Sequence, residues 1–238
     1  MRLAVLHHLP EPFLGLAERP LREAGLVIDE RFLLDGDPLP ELGEVDGILS
    51  LGGSQSVVDI DRDLLLTDEA ALLGQAVDAR VPVLGICLGG QLLAHALGAR
   101  VVRAPRRTVA WVEVEPTPAA AGDPLAEALG SPVRGLHWNE DCFDLPPGAT
   151  ELLTRHGAGV TAFRAGECAW GVQFHPEADA VALEGWYASY GAWLAEAGVV
   201  EADARGADAE NLPGQEERAE RLFGAFARVV LASSEHVT

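Results

Sequence analysis

The chain reads as an α/β protein: a three-layer αβα sandwich on a mainly parallel, flavodoxin-like doubly wound sheet. Three observations predict it. Strand-like and helix-like segments alternate as far as Arg100, the pattern of a parallel sheet covered on both faces. The run Val81–Ile86 is short and continuously apolar, as in a buried strand. With 238 residues, 48% of them hydrophobic, there is ample material for a large core.

Arg2–Leu6 reads as the first strand, and a helix-like stretch weakened by Pro20 follows from Phe13 to Ala24. Leu26–Phe32 is a second extended segment. Val45–Leu51 is a third, ending in Gly52-Gly53-Ser54-Gln55-Ser56, where the glycines permit a turn with exposed amides. Thr67 is expected to cap a helix that has Asp68 and Glu69 in its first turn and runs to Ala79. Val81–Ile86 then leads through Cys87 into a helix over Gln91–Leu97, closed by Gly98. Beyond Arg100 the pattern turns β-rich: Val109–Val114, Val133–Trp138, Gly159–Phe163 and Ala169–Phe174. Asp179–Ala197 returns to helix, Glu201–Gln215 reads as a polar surface loop, and Glu216–Leu231 as a final amphipathic helix. The expected organisation is one catalytic-type domain over residues 1–195, with 196–238 a loop and helix packed on it.

Composition excludes several chemistries. All 17 basic residues are Arg, so no lysine is present for a Schiff base or a phosphate-binding loop. A formal net charge of −20 repels nucleic acid and anionic membranes, so no role with either is expected. No apolar run approaches the roughly 20 residues that span a bilayer, and the start lacks the pattern of a signal peptide. A cytoplasmic setting follows as the expectation. The three cysteines, Cys87, Cys142 and Cys168, have no CxxC spacing, which suits a reducing compartment and gives no reason to expect a metal or other cofactor.

Gly85-Ile86-Cys87-Leu88-Gly89 matches the nucleophile-elbow pattern with Cys in place of Ser. A strand that turns sharply into a helix strains its turn residue and crowds its neighbours, so small residues must flank it. The helix N-terminus would favour the thiolate. A nucleophile needs a base, and the base an orienting group. His175 ends the apolar strand Trp170–Phe174, where clefts form in parallel sheets, and Glu177 is near enough in sequence to reach its far ring nitrogen. His7 and His8 end the first strand and border the same region, whereas His95 lies too far into its helix.

Taken together, Gly52-Gly53, Gly85-Ile86-Cys87-Leu88-Gly89-Gly90-Gln91 and Gln173-Phe174-His175-Pro176-Glu177 resemble the class I glutamine amidotransferases, over about residues 1–195. The resemblance is closest to the amidotransferase domain of GMP synthase. It implies a Cys87–His175–Glu177 triad that hydrolyses the side-chain amide of glutamine through a γ-glutamyl thioester and releases ammonia. It further implies an oxyanion hole from the amides of Gly53 and Leu88, and substrate contacts from Gly52, Gln91, Trp138 and Asn139. Trp138-Asn139-Glu140-Asp141 stands where the family reads closer to His-Gly-Asp. That leaves open glutamine or a related γ-glutamyl compound as substrate, so a γ-glutamyl peptide or polyamine hydrolase is the alternative. A catalytically silent regulatory subunit is a third reading. No synthetase module is visible, so ammonia would pass to a separate ammonia-accepting synthetase.

Overall fold

The computed structural model describes residues 1–10, 13–155 and 159–233. Its strands are β1 (Arg2–His8), β2 (Val27–Phe32), β3 (Gly47–Gly53), β4 (Val83–Ile86), β5 (Val101–Pro116), β6 (Val133–Phe143), β7 (Thr150–Arg155), β8 (Gly159–Ala165) and β9 (Ala169–Val172). They form a single sheet in the order β2-β1-β3-β4-β9-β8-β7-β5-β6. From β2 to β9 the neighbours are parallel, and from β9 to β6 they are antiparallel. The sheet is therefore mixed, which corrects the expectation of a mainly parallel one. Parallel pairing needs a crossover long enough to hold a helix. Beyond Arg100 the connections are mostly short, so the chain folds back on itself strand by strand.

The helices are α1 (Glu18–Glu23), α2 (Leu64–Asp78), α3 (Leu88–Ala96), α4 (Pro124–Leu129), α5 (Ala180–Glu196) and α6 (Glu201–Ser233), and α5 packs on β5 and β6 by setting Leu183, Tyr187 and Leu194 against Leu136 and Trp111. Alternate strand residues enter different cores, as a period of two requires. Leu3, Val5, Leu49, Leu84 and Ile86 pack with Leu21 of α1, Leu125 of α4 and Phe223 and Phe226 of α6. Ala4, Leu6, Ile48 and Val83 pack with Leu66 and Leu73 of α2 and Leu92 and Leu93 of α3. No helix among the described residues is long and apolar enough to cross a membrane.

Four local expectations change. The stretch Glu201–Gln215 is the first half of α6, with Pro213 inside the helix. Its glycines, Pro213 and acidic residues look loop-like, but Asp208 is buried against Tyr187 OH and Gln215 against the Ala178 carbonyl, and that tertiary packing overrides propensity. Helix α2 is capped by Asp63, whose carboxylate accepts from the Leu66 N–H at 3.2 Å, while Thr67 bonds back to the carbonyls of Ile60 and Asp63. Glu69 is fully buried there rather than in the first turn. The Phe13–Ala24 stretch divides into a 3-10 turn, Gly15–Ala17, and the short α1. Helix α3 starts at Leu88, a turn earlier than its apolar pattern indicates, directly after Cys87. The last five residues of the expected 196–238 segment lie outside the described residues.

Candidate active site

The carboxyl ends of β1, β3, β4 and β9 open into a cleft of about 240 Å³. Cys87 stands at the β4–α3 junction with φ 51° and ψ −104°, in the positive-φ region rarely adopted by non-glycine residues. Its N–H donates to Val172 O at 2.8 Å, which ties the elbow to β9. The turn closes only because its flanks have no side chains. A Cβ on Gly85 would lie 2.5 Å from the Gly89 backbone, and one on Gly89 would lie 2.2 Å from Ser50 O.

Three residues past β9, His175 is held by its own N–H to Leu136 O at 2.8 Å. Its Nδ1 lies 2.7 Å from Glu177 Oε1, and the imidazole and the Cys87 side chain both border Gly52, where a Cβ would be 2.8 Å from His175 Cε1 and 3.6 Å from Cys87 Cβ. Burial pulls the His175 pKa down, but the charges of Glu177 and Cys87 outweigh it and leave the ring well above the ordinary histidine value. The turn carrying these groups is braced from both sides. Glu177 O accepts from Leu16 N at 2.9 Å. From α6, Gln215 Nε2 donates to His175 O at 3.2 Å and Ala178 O at 2.6 Å.

The structure brings the nine residues singled out by the sequence into one neighbourhood. Gly52, Gly53, Cys87, Gln91, Trp138, Asn139, His175 and Glu177 line the cleft. A Cβ on Gly52 would sit 2.8 Å from His175 Cε1, so the imidazole occupies the space that this glycine leaves. The side chain of Leu88 is in the core instead, where its Cδ2 would be 2.7 Å from a Cβ on Gly53, so it packs against the Gly53 backbone. Gln91 is 3% exposed and donates from Nε2 to Asp141 O and Gln173 Oε1. Asn139 Nδ2 donates to Asp141 O at 2.9 Å, and Trp138 O accepts from Cys87 Sγ at 3.9 Å. The carboxylate of Glu140 is paired with Arg103 and Arg107.

Sequence reasoning passed over several lining or supporting groups. Gln173 lies inside the motif that ends at Glu177 but reads there only as strand; its Nε2 donates to Cys87 Sγ at 3.7 Å. His8, expected only to border the region, is fully buried with Nε2 2.6 Å from Glu69 Oε2, and Ser50 Oγ donates to Glu69 Oε1 at 2.6 Å. Trp186, Tyr190 and Trp193 of α5 also line the cleft. Their spacing of four and three was a readable signal, since it puts them on one helix face.

Comparison with known proteins places the chain in a family and matches its fold. A family model described as glutamine amidotransferase class-I matches residues 31–183. The glutamine amidotransferase-like protein YfeJ of Salmonella typhimurium is 34% identical over 167 residues, 68% of this chain and 70% of its own. One subunit of a glutamine-hydrolysing GMP synthase from Haloarcula marismortui is 34% identical over 168 residues, 69% of this chain and 80% of its own. The crystal structure of a glutamine amidotransferase from Thermotoga maritima superposes with a TM-score of 0.84 at 27% identity, covering 96% of this chain and 97% of that one.

Proposed function

Because the chain belongs to the class I glutamine amidotransferases, a family of enzymes, we propose that it hydrolyses the side-chain amide of glutamine through a γ-glutamyl thioester on Cys87. The observation that carries this reading is that Cys87, His175 and Glu177 line one cleft at the mouth of the parallel strands, with His175 bonded to Glu177 and beside Cys87 across Gly52.

In the first half-reaction the Cys87 thiol passes its proton to His175 and Sγ adds to the amide carbonyl carbon. The N–H groups of Gly53 and Leu88 receive the oxyanion, each such donor being worth about 3 kcal/mol in the transition state. His175 gives its proton to the leaving nitrogen, the C–N bond breaks, and ammonia departs. In the second half-reaction His175 takes a proton from water, the water oxygen attacks the thioester carbonyl, and glutamate leaves as the C–S bond breaks. Glu177 keeps His175 oriented and stabilises its charged form throughout. Gly52, Gln91, Trp138 and Asn139 border the glutamyl group in this reading.

Residues 1–195 would form the amidotransferase unit, and 196–238 would complete it through the Gln215 clamp. The resemblance to one GMP synthase subunit supports a separate ammonia-accepting synthetase as partner. An enzyme that feeds a partner gains from idling alone, so weak glutaminase activity is expected of the isolated chain. The three unpaired cysteines support a cytoplasmic setting. A γ-glutamyl peptide or polyamine hydrolase is the second reading, favoured by the room in the cleft beyond what ammonia needs.

The test is direct. Purified protein is incubated with glutamine and a panel of γ-glutamyl compounds, with ammonia and glutamate assayed and Cys87 examined by mass spectrometry. A γ-glutamyl adduct on Cys87 supports the mechanism. Product formation by Cys87→Ala at the wild-type rate refutes covalent catalysis.

A further inference from the structure

Three of the five tryptophans, Trp138, Trp186 and Trp193, line the cleft together with Tyr190 and Phe13. Their placement relative to His175 is specific. The Trp186 ring is 4.9 Å from the His175 ring, centroid to centroid, at 68°. Trp138 lies 5.4 Å from Trp186 at 69°, and Trp193 is parallel to Trp138 within 8° at 6.3 Å. The indoles form a continuous wall that starts at the imidazole and runs outward. Trp186, Tyr190 and Trp193 lie on α5 beyond residue 183, where the family match ends.

We infer that this wall is a leaving-group subsite, and that the substrate is a γ-glutamyl amide whose nitrogen carries an uncharged aryl or arylalkyl substituent. The inference rests on the hydrolytic reading above. Nδ1 of His175 is taken by Glu177, so the departing nitrogen must receive its proton from Nε2. Whatever substituent that nitrogen bears therefore begins beside His175, whose ring Trp186 borders at 4.9 Å. Ammonia, the leaving group from glutamine itself, would leave the wall unused.

Chemistry along the wall selects against a cationic amine. Glu140, whose carboxylate accepts from Trp193 Nε1 at 3.4 Å, is paired with Arg103 and Arg107. The Arg107 guanidinium sits 5.0 Å over the Trp193 ring, so the cation–π face that an ammonium would use is already occupied by a like charge. A flat apolar group gains the indole surface without meeting that repulsion.

The experiment compares kcat/KM for the γ-glutamyl amides of phenethylamine, methylamine and putrescine, alongside glutamine, with single-turnover thioester formation on Cys87 followed by mass spectrometry. The phenethylamide is expected to exceed the methylamide by ~10-fold or more, as burial of a phenyl group permits, and the putrescine amide to fall below both. In Trp186→Ala, and independently in Trp193→Leu, the phenethylamide-to-methylamide ratio collapses towards one. Equal kcat/KM for phenethylamide and methylamide, a preference for putrescine, or a ratio unmoved in both variants overturns the subsite while thioester formation leaves the hydrolytic reading intact. Absence of any thioester, together with no labelling of Cys87 by a glutamine-analogue chloroketone, overturns that reading and the subsite with it.

Discussion

Gln173 points its side-chain amide at the Cys87 sulfur, Nε2 to Sγ 3.7 Å, and its orientation is set by Gln91, whose Nε2 donates to Gln173 Oε1 at 3.3 Å. With its oxygen committed to Gln91, the amide can present only its N–H side to the sulfur. Both glutamines are 3% exposed, so this donor acts where water cannot replace it. Gln173→Leu keeps the shape and removes the donor. The expected outcome is roughly 10-fold slower thioester formation, the size of a hydrogen bond to a charged group, with an unchanged circular dichroism spectrum. An unchanged single-turnover rate would show that the contact is only packing.

Glu177 holds the His175 pKa up, so its removal must lower it. The reaction needs a proton on His175 to expel the leaving group, and activity is lost as pH rises through its pKa. Glu177→Gln is therefore expected to move the alkaline limb of the kcat/KM profile to lower pH and to reduce turnover without abolishing it, whereas Cys87→Ala abolishes it. The same shift contributes to stability. His175 binds its proton more tightly in the folded state, so this contribution is complete below the ordinary histidine pKa and fades as pH rises through the elevated one. An alkaline limb at the same pH in both proteins contradicts the assigned role of Glu177.

The three thiols should separate under alkylation. Burial raises the pKa of Cys142, with Asp141 and Asp144 adding to it, and burial and Glu167 raise that of Cys168. Neither has a histidine partner of the kind that Cys87 has in His175. Limited iodoacetamide at neutral pH, read by peptide mapping, is expected to modify Cys87 far ahead of the other two. Equal modification of all three would remove the elbow assignment.

Two buried histidines predict acid sensitivity. Burial lowers the His137 pKa to about 3 and, with His8 nearby, that of His7 to about 4, from an ordinary 6.5. Unfolding lets both take protons, so their contribution to stability is complete above pH ~6.5 and is lost as pH falls through the depressed values. The Tm is expected to drop between pH 6.5 and pH 4. His137→Gln, at a position 2% exposed, should flatten that drop by an amount on the order of 1–3 kcal/mol. A variant with the same pH slope as wild type would show that His137 does not set it.

Local order was legible in the sequence wherever the cause was itself local. The strand-to-helix elbow at Cys87 can be read from its glycines, because the clash that a Cβ would make there is with neighbours along the chain and on the adjoining strand. The His175–Glu177 contact can be read because residues two apart are near enough for a glutamate to reach an imidazole, here at 2.7 Å. The alternation of Leu3, Val5 with Ala4, Leu6 can be read because period two divides a strand between two cores. Tertiary structure alone decided what depends on partners distant in the chain. The antiparallel half of the sheet is a matter of which strands meet. The helix over Glu201–Gln215 exists because Asp208 accepts from Trp111 Nε1 and Tyr187 OH, and Gln215 from the same face grips the carbonyls of His175 and Ala178. The indole wall likewise joins a strand residue, Trp138, to helix residues 48 and 55 positions later, Trp186 and Trp193. Such contacts are set by burial and hydrogen-bond satisfaction across the fold, which no local pattern of residues encodes.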